Sequence, residues 1–383
     1  MRKYLFLLLL FIPCIAFATS KTDSLFDQLN RELNNKSIYD HQKEADIQKL
    51  KRSLKTVPAN NLQAQFSICT RLYDEYKAYQ YDSAYVYATK MQDISHQLKD
   101  KSKGDYSKVK IGFILLSSGM FKETFDNLRG IDVKALDDSI KIEYYSLLTR
   151  VYYDLASYDN DKHFTVYYNG LANKYIDSAI ALSKPDSYDK IYFTGYKKLK
   201  NGQVKESAID FITLLDKYKL TMHQKAIVAS TLSNIYADTK NQQKVDLLIE
   251  ATIADIKTST KETVALFWLA QLLYKEGDIK NTYVYLQAAL QDAEFYGARQ
   301  RKIQIGTLLP LVASERLNYV EKEKTRFLIY LSSITILALL VIVVSILLFK
   351  QLNKLRIKEK IIDDKNVQLE KINDKLVEGT KIK

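Results

Sequence analysis

The sequence predicts an all-α protein: a solenoid of paired helices, one membrane-crossing helix and a C-terminal coiled coil. Three observations lead there. Four prolines and eleven glycines in 383 residues punctuate too rarely for a β-sandwich or barrel. Amphipathic helical pattern runs nearly from end to end. Phe327 to Phe349, FLIYLSSITILALLVIVVSILLF, holds 23 residues without a charge.

That last stretch organises the rest. As a helix it is roughly 34 Å long, enough to cross a hydrocarbon core of about 30 Å. Its polar side chains are Tyr330 and the hydroxyls of Ser332, Ser333, Thr335 and Ser345, and helical hydroxyls bond back to the i−4 carbonyl. A buried core helix would be shorter and amphipathic. Lys350, Lys354, Arg356, Lys358, Lys360 and Lys365 crowd the exit, whereas the approach mixes Arg316, Lys322, Lys324 and Arg326 with three glutamates. The basic excess places the C-terminus in the cytoplasm.

The N-terminus agrees. Arg2 and Lys3, an apolar run from Leu5 to Ile12, and Ala16-Phe17-Ala18 form a signal peptide over 1–18, cleaved before Thr19. The expectation is an inner-membrane protein, single-pass, with a large periplasmic domain. A lipoprotein reading of Cys14 fails because Pro13 stands where a small residue is needed. After cleavage only Cys69 remains, so no intrachain disulfide forms, and a domain this size is stable without one. Of the formal charge of +12, the signal peptide carries +2 and residues 350–383 carry +4, and the +6 left on the rest is spread without blocks of one sign. Nucleic-acid binding by this chain is not expected.

Between lead-in and span the chain repeats. The clearest unit is Leu266 to Ala293, with Leu269-Ala270, Leu273, Gly277-Asp278, Leu286 and Ala289. Shifted upstream by 37 lie Leu232-Ser233, Tyr236, a Lys240-Asn241 turn, Val245, Ile249 and Thr252. Ile111-Gly112, Leu115, Gly119, Leu128 and Ile131 form another, and Gly195 and Gly202 mark one more. Weaker units lie near Leu72 to Met91 and Tyr144 to Ala181. Each reads as two antiparallel helices, a small residue on the first letting the second approach. One pair cannot bury its own apolar face, so pairs stack. These positions resemble the tetratricopeptide family over about Phe66 to Ala293, with Thr282 replacing the usual Ala; a generic helical bundle is the alternative.

The expected domains are thus 1–18, signal peptide; 19–60, a helical lead-in cap ending at Val57-Pro58-Ala59-Asn60; 61–326, the periplasmic repeats; 327–349, the span; and 350–383, the coil. Tyr158 to Gly170, YDNDKHFTVYYNG, reads as a loop interrupting its repeat.

No catalytic constellation emerges. His41, His96, His163 and His223 are scattered without metal-ligand spacing, and there is no phosphate loop or nucleophile elbow. No enzyme, metal site or cofactor is expected. Cys69 sits in a helical pattern with Phe66, Leu72 and Tyr76, which points to core packing. The tetratricopeptide resemblance implies a concave groove lined by the first helix of each unit, at Phe113, Tyr196, Asn234, Gln271 and Tyr274. Polar and aromatic residues interleaved there suit a protein, peptide or glycan-like ligand.

The tail reads as heptads. With Leu352 at a, the d positions are Leu355, Ile362, Leu369 and Leu376. The remaining a positions are Glu359, Asn366 and Asn373, and Asn at a favours a parallel pair of strands. Lys358 with Asp363 and Lys365 with Glu370 are opposite in sign at g and e′. A homodimer through this coil follows. Signal peptide, helical repeats, one span and a coil together resemble the membrane-bound tetratricopeptide sensor-regulators of Bacteroidetes-type bacteria. In those proteins the coil leads to a helix-turn-helix or histidine-kinase module. That output domain is missing here: either more of the gene follows or the protein works without one. The resemblance implies a sensor relaying a periplasmic signal toward transcription; the alternative is a membrane-tethered scaffold for envelope assembly.

Overall fold

The computed structural model describes residues 21–236 and 241–380. The expected signal peptide over 1–18 and Lys240 of the expected turn lie outside the described residues. The described residues form α-helices joined by short turns, with one 3-10 turn at Val133–Ala135 and no strand. The chain divides into two compact units, Met1–Ser314 and Glu315–Lys383.

In the first unit, α1 (Lys21–Asn34) and α2 (Lys36–Thr56) precede six helical hairpins. These are α3 (Leu62–Tyr76) with α4 (Tyr81–Leu98), α5 (Lys101–Ser117) with α6 (Phe121–Leu128), and α7 (Asp138–Asp159) with α8 (Phe164–Leu182). Next come α9 (Tyr188–Lys200) with α10 (Val204–Lys217), α11 (Met222–Ser233) with α12 (Gln242–Lys257), and α13 (Val264–Glu276) with α14 (Ile279–Tyr296). All six repeats read from the sequence are present. α15 (Arg299–Thr380) follows.

The repeat positions act as packing requires. A Cβ on Gly112 would sit 3.0 Å from Leu147 and 3.1 Å from Leu128, so α5 meets both neighbours through bare backbone. Gly277 takes φ +84, which side chains resist, and the Asp278 amide then reaches the Leu273 carbonyl at 2.9 Å. The Asp278 side chain accepts the Asn281 amide, so one turn ends α13 and caps α14. The same closure recurs beside Gly119 (Met120 to Leu115, 2.9 Å) and Gly202 (Gln203 to Lys198, 2.9 Å).

The Ala-to-Thr departure at Thr282 has a physical account. Its hydroxyl is fully buried and donates to the Asp278 carbonyl at 2.7 Å. Ser207, at the matching position, donates to the Gly195 carbonyl of the facing helix at 2.8 Å. A hydroxyl there bonds to a backbone carbonyl and leaves no orphaned polar atom.

Two further points differ from or extend the sequence reading. The stretch from Tyr158 to Gly170 is not a loop insertion: α7 runs to Asp159 and α8 starts at Phe164, so only a four-residue turn separates them. Asp161 supports that turn by accepting the amides of His163 and Phe164. The lead-in also does more than cover one end. Leu29 of α1 is buried with α12, α13 and α14, and Lys257 pairs with Glu32 at 2.9 Å. Tyr285 of α14 donates to Asn30 at 3.1 Å.

The first and last hairpins therefore touch. The Lys261 amide donates to the Ala78 carbonyl at 2.7 Å, and its buried amine reaches Asp40 at 2.7 Å and Asp292 at 3.3 Å. Tyr79 meets Phe295 edge-on at 4.9 Å. The array closes on itself through α1 and α2.

α15 carries the one helix segment among the described residues that is long and apolar enough to cross a membrane. The hydroxyls of Ser332, Ser333 and Thr335 donate to the carbonyls of Leu328, Ile329 and Leu331 at 2.8–2.9 Å, as the sequence predicts. That back-bonding lets polar residues sit in an apolar span.

Candidate binding groove

The first helices of successive hairpins meet one another through their side chains, and these contacts outline the groove. On α7, Arg150 lies 5.5 Å over the Phe113 ring of α5, donates to Ser117 at 3.3 Å and pairs with Asp154 at 3.4 Å. Tyr188, Tyr192 and Tyr196 form a ladder along α9, spaced i, i+4, with stacked rings 5.5 and 6.0 Å apart. Tyr196 meets Tyr153 of α7 edge-on at 5.5 Å, and Tyr192 packs against the core shared by α10 and α11. Lys200 sits over both Tyr153 and Tyr196. At the far side, Arg301 at the root of α15 lies 4.9 Å over the Phe267 ring of α13.

These groups are enclosed and still wet. Arg150 and Asp154 are each 40% exposed, yet burial is the largest influence on the titration of both. A narrow groove gives that combination: protein surrounds the groups while solvent still reaches them. Burial disfavours the charge of Arg150, but Asp154 and Glu262 more than offset it, so its pKa lies above the usual guanidinium value. Burial raises Asp154 despite Arg150 and Lys200. Arg301 is pushed down to about 10, by burial first and by Arg150 as well, against the pull of Glu262. Burial raises Asp255 well above the carboxylate range, helped by Glu262 and Asp292. His223 is lowered by burial, and Lys77 and Lys43 outside the groove's own helices add to it. Perturbed groups of both signs, acting on one another through Arg150 and Glu262, mark this region as a functional-site candidate.

The predicted groove residues do not all share this place. Phe113 and Tyr196 belong to the Arg150 cluster. Asn234 and Gln271 line a separate cleft with Ser233, Lys244, Trp268 and Lys275, between α11 and α13. Tyr274 packs against the core of the last hairpins. Sequence reasoning missed Arg150, Asp154, Tyr192 and Arg301. Arg150 and Asp154 are spaced i, i+4, which on an isolated helix reads as a surface pair.

The other tyrosine-rich stretches are packing. Tyr73 is buried with its hydroxyl on the Lys110 carbonyl, and Tyr76 stacks on Tyr87 at 5.7 Å. Cys69 is 1% exposed and burial pushes its thiol pKa up, so it is core, as expected. Among the described residues no three His, Cys, Asp or Glu side chains are grouped to hold a metal.

The groove is tied to the closure of the array. Ser117, which accepts from Arg150 at 3.3 Å, and Arg150 itself both act on Tyr296, offsetting part of the rise that burial and Glu262 impose on its hydroxyl. Tyr296 donates to the Lys77 carbonyl at 2.9 Å and immediately precedes Gly297, the residue that turns the chain into α15. The Arg150 cluster thus reaches electrostatically to Tyr296 and Arg301, at the turn into that helix and at its root.

No curated protein matches the chain at a significant level. The family model of the SusR N-terminal TPR domain matches residues 33–307, from the end of α1 to the root of α15. With most of its length matched and six tetratricopeptide hairpins in place, the chain belongs to the SusR N-terminal TPR domain family, a tetratricopeptide type of Bacteroidetes regulator.

Proposed function

We propose that this chain is a single-pass membrane sensor-regulator. Its repeats lie in the periplasm and bind a protein, peptide or glycan-like ligand. The span relays that event to a dimeric cytoplasmic coil, toward transcriptional regulation. The observation that carries this reading is the Arg150 cluster, whose charge acts on Tyr296 at the turn before α15 and on Arg301 at its root. A ligand that engages Arg150 changes the field at Tyr296, whose hydrogen bond to the Lys77 carbonyl holds the turn into the outgoing helix. Binding energy is then expressed where the helix begins, as a switch requires. The Tyr188–Tyr192–Tyr196 ladder supplies flat apolar faces beside charged groups of both signs, a surface suited to an amphipathic ligand.

The test is genetic and uses the full-length chain at its own locus. Transcript profiles are compared for the parent, a deletion strain and Arg150→Ala, across defined carbohydrate and peptide supplies. Arg150→Ala should lose the same transcripts as the deletion while the chain persists at parental level in the membrane. A parental profile from Arg150→Ala would remove the groove from the sensing role. A deletion that changes no transcript but perturbs envelope proteins would favour the scaffold instead.

A further inference from the structure

The dimeric coil of the proposed function has a continuation that the tail alone does not reveal. Val312 is the last fully buried residue where α15 leaves the repeats, and from Leu317 onward its large apolar side chains are exposed. The tail register, with Leu352 at a and Leu355 at d, can be stepped back by sevens through the span. The a row reaches Lys324 and Leu317, and the d row reaches Phe327 and Val320.

That coincidence is selective outside the hydrocarbon. Between Glu315 and Arg326 the large aliphatic residues are Leu317 and Val320, 68% and 52% exposed. A heptad offers seven phases, and this pair takes the one the tail uses. Inside the span every phase is apolar, so hydropathy cannot choose; the two flanks set it. The a row there passes through Ala338 and Ser345, small side chains that let two backbones approach. Lys324 at a weakens the seam locally and fixes its register, as a single Lys at a does. Arg316 at g and Glu321 at e are opposite in sign, like Lys358 with Asp363 in the tail.

We infer that a second copy of this chain packs along one uninterrupted seam, parallel and in register, from Leu317 through the span to Leu376. The inference rests on the dimeric-coil reading and extends it across the membrane. A strict seven-residue repeat drifts about 20° per heptad on a straight α-helix. Two copies keep such a seam in contact only by winding around each other with a left hand. A change in helix phase set at Leu317 is then imposed on Leu376, because no skip residue absorbs it.

The test is disulfide scanning of the full-length chain in native membranes. Single cysteines replace each residue from Glu315 to Tyr330 and from Leu352 to Lys358, with mild oxidant. Cys69 is buried, so the parent sets the background. Yields should peak at Leu317→Cys, Val320→Cys, Phe327→Cys, Leu352→Cys and Leu355→Cys, several-fold above Lys322→Cys, Ile329→Cys and Ile357→Cys. The product should have twice the mass of the chain. Absence of tail crosslinks sinks the dimeric coil itself, and the seam with it. Tail crosslinks with a flat or phase-shifted profile before the span leave the coil standing and overturn the continuous seam. A crosslinked product of any other mass overturns the second copy as occupant.

Discussion

The hydroxyl of Tyr296 donates to the carbonyl of Lys77 at 2.9 Å, joining residues 219 positions apart. It belongs to a set of contacts that turns an open stack of hairpins into a closed one. Lys261 is the densest of them, with its amine 4% exposed between Asp40 and Asp292 and 5.9 Å from the Tyr79 ring centre. Closure matters because an open array leaves an apolar face bare at each end. Here the first and last hairpins cover one another, with α1 and α2 packed in between.

Lys261→Ala should therefore be severe. It strands the Asp40 carboxylate, one oxygen of which already lacks a partner, while Asp292 keeps its pair with Lys36; the cost should fall toward the lower end of the about 3–5 kcal/mol for breaking a buried pair. The detergent-solubilised chain should melt lower, and hydrogen exchange should rise first in α1, α2 and the turn around Ala78. Unchanged exchange there would mean that the closure is not held by this residue.

Two glycine substitutions of opposite sign test the hairpin packing. Gly112→Leu should destabilise by about 1–3 kcal/mol, since the space beside it is filled by Leu147 and Leu128. Gly170→Ala, inside α8 with nothing within 4 Å of the added atom, should stabilise by about 0.5–1 kcal/mol. Thermal melts decide both.

Most of the fold was legible because it is local. Turn glycines and span hydroxyls act within a few positions of themselves, and the small contact residues meet the neighbouring helices of the repeat. Tyr158 to Gly170 misled because its large side chains Tyr158, Phe164, Val166 and Tyr167 are exposed, so no apolar period marks the helix ends on either side of the turn. The closure was illegible for another reason: Asp40 and Lys261 become partners only after five hairpins have curved round. The groove charges share that cause. Arg150 and Asp154 look like an ordinary surface pair until array curvature places Tyr296 and Arg301 opposite them. Repeat positions point to Phe113 and Tyr196, which meet the Arg150 cluster, and equally to Tyr274, which packs on the last hairpins; the pattern does not carry the neighbour each will face.

Asp255 gives a pH prediction. Its folded pKa is raised, by burial and then by Glu262 and Asp292. In the unfolded chain it titrates near about 3.9. The folded state therefore holds the proton more tightly, and this stabilisation, present at low pH, is lost as pH rises above the unfolded value through the folded one. Asp255→Asn should leave stability near pH 4 unchanged and raise the melting temperature at neutral pH by a few degrees. Equal melts of the two proteins across the range would refute the raised pKa.

The tail makes its own prediction. Ile362→Asp with Leu369→Asp places two carboxylates per chain in the seam, at a cost of several kcal/mol, more than four heptads with polar a positions supply. Disulfide formation at Leu355→Cys should disappear in that background. Asn366→Leu should raise it while loosening the register. A crosslink that survives both aspartates would leave the tail as a solvated helix.

The account depends most on the groove and the coil lying on opposite faces of one membrane. Labelling with a membrane-impermeant maleimide tests this directly, in spheroplasts and then after lysis. Lys122→Cys, on a side chain 82% exposed in α6, should label in intact spheroplasts. Lys371→Cys in the coil should label only after lysis. Labelling of Lys371→Cys in intact spheroplasts, or protection of Lys122→Cys until lysis, would contradict the proposed path from groove to coil.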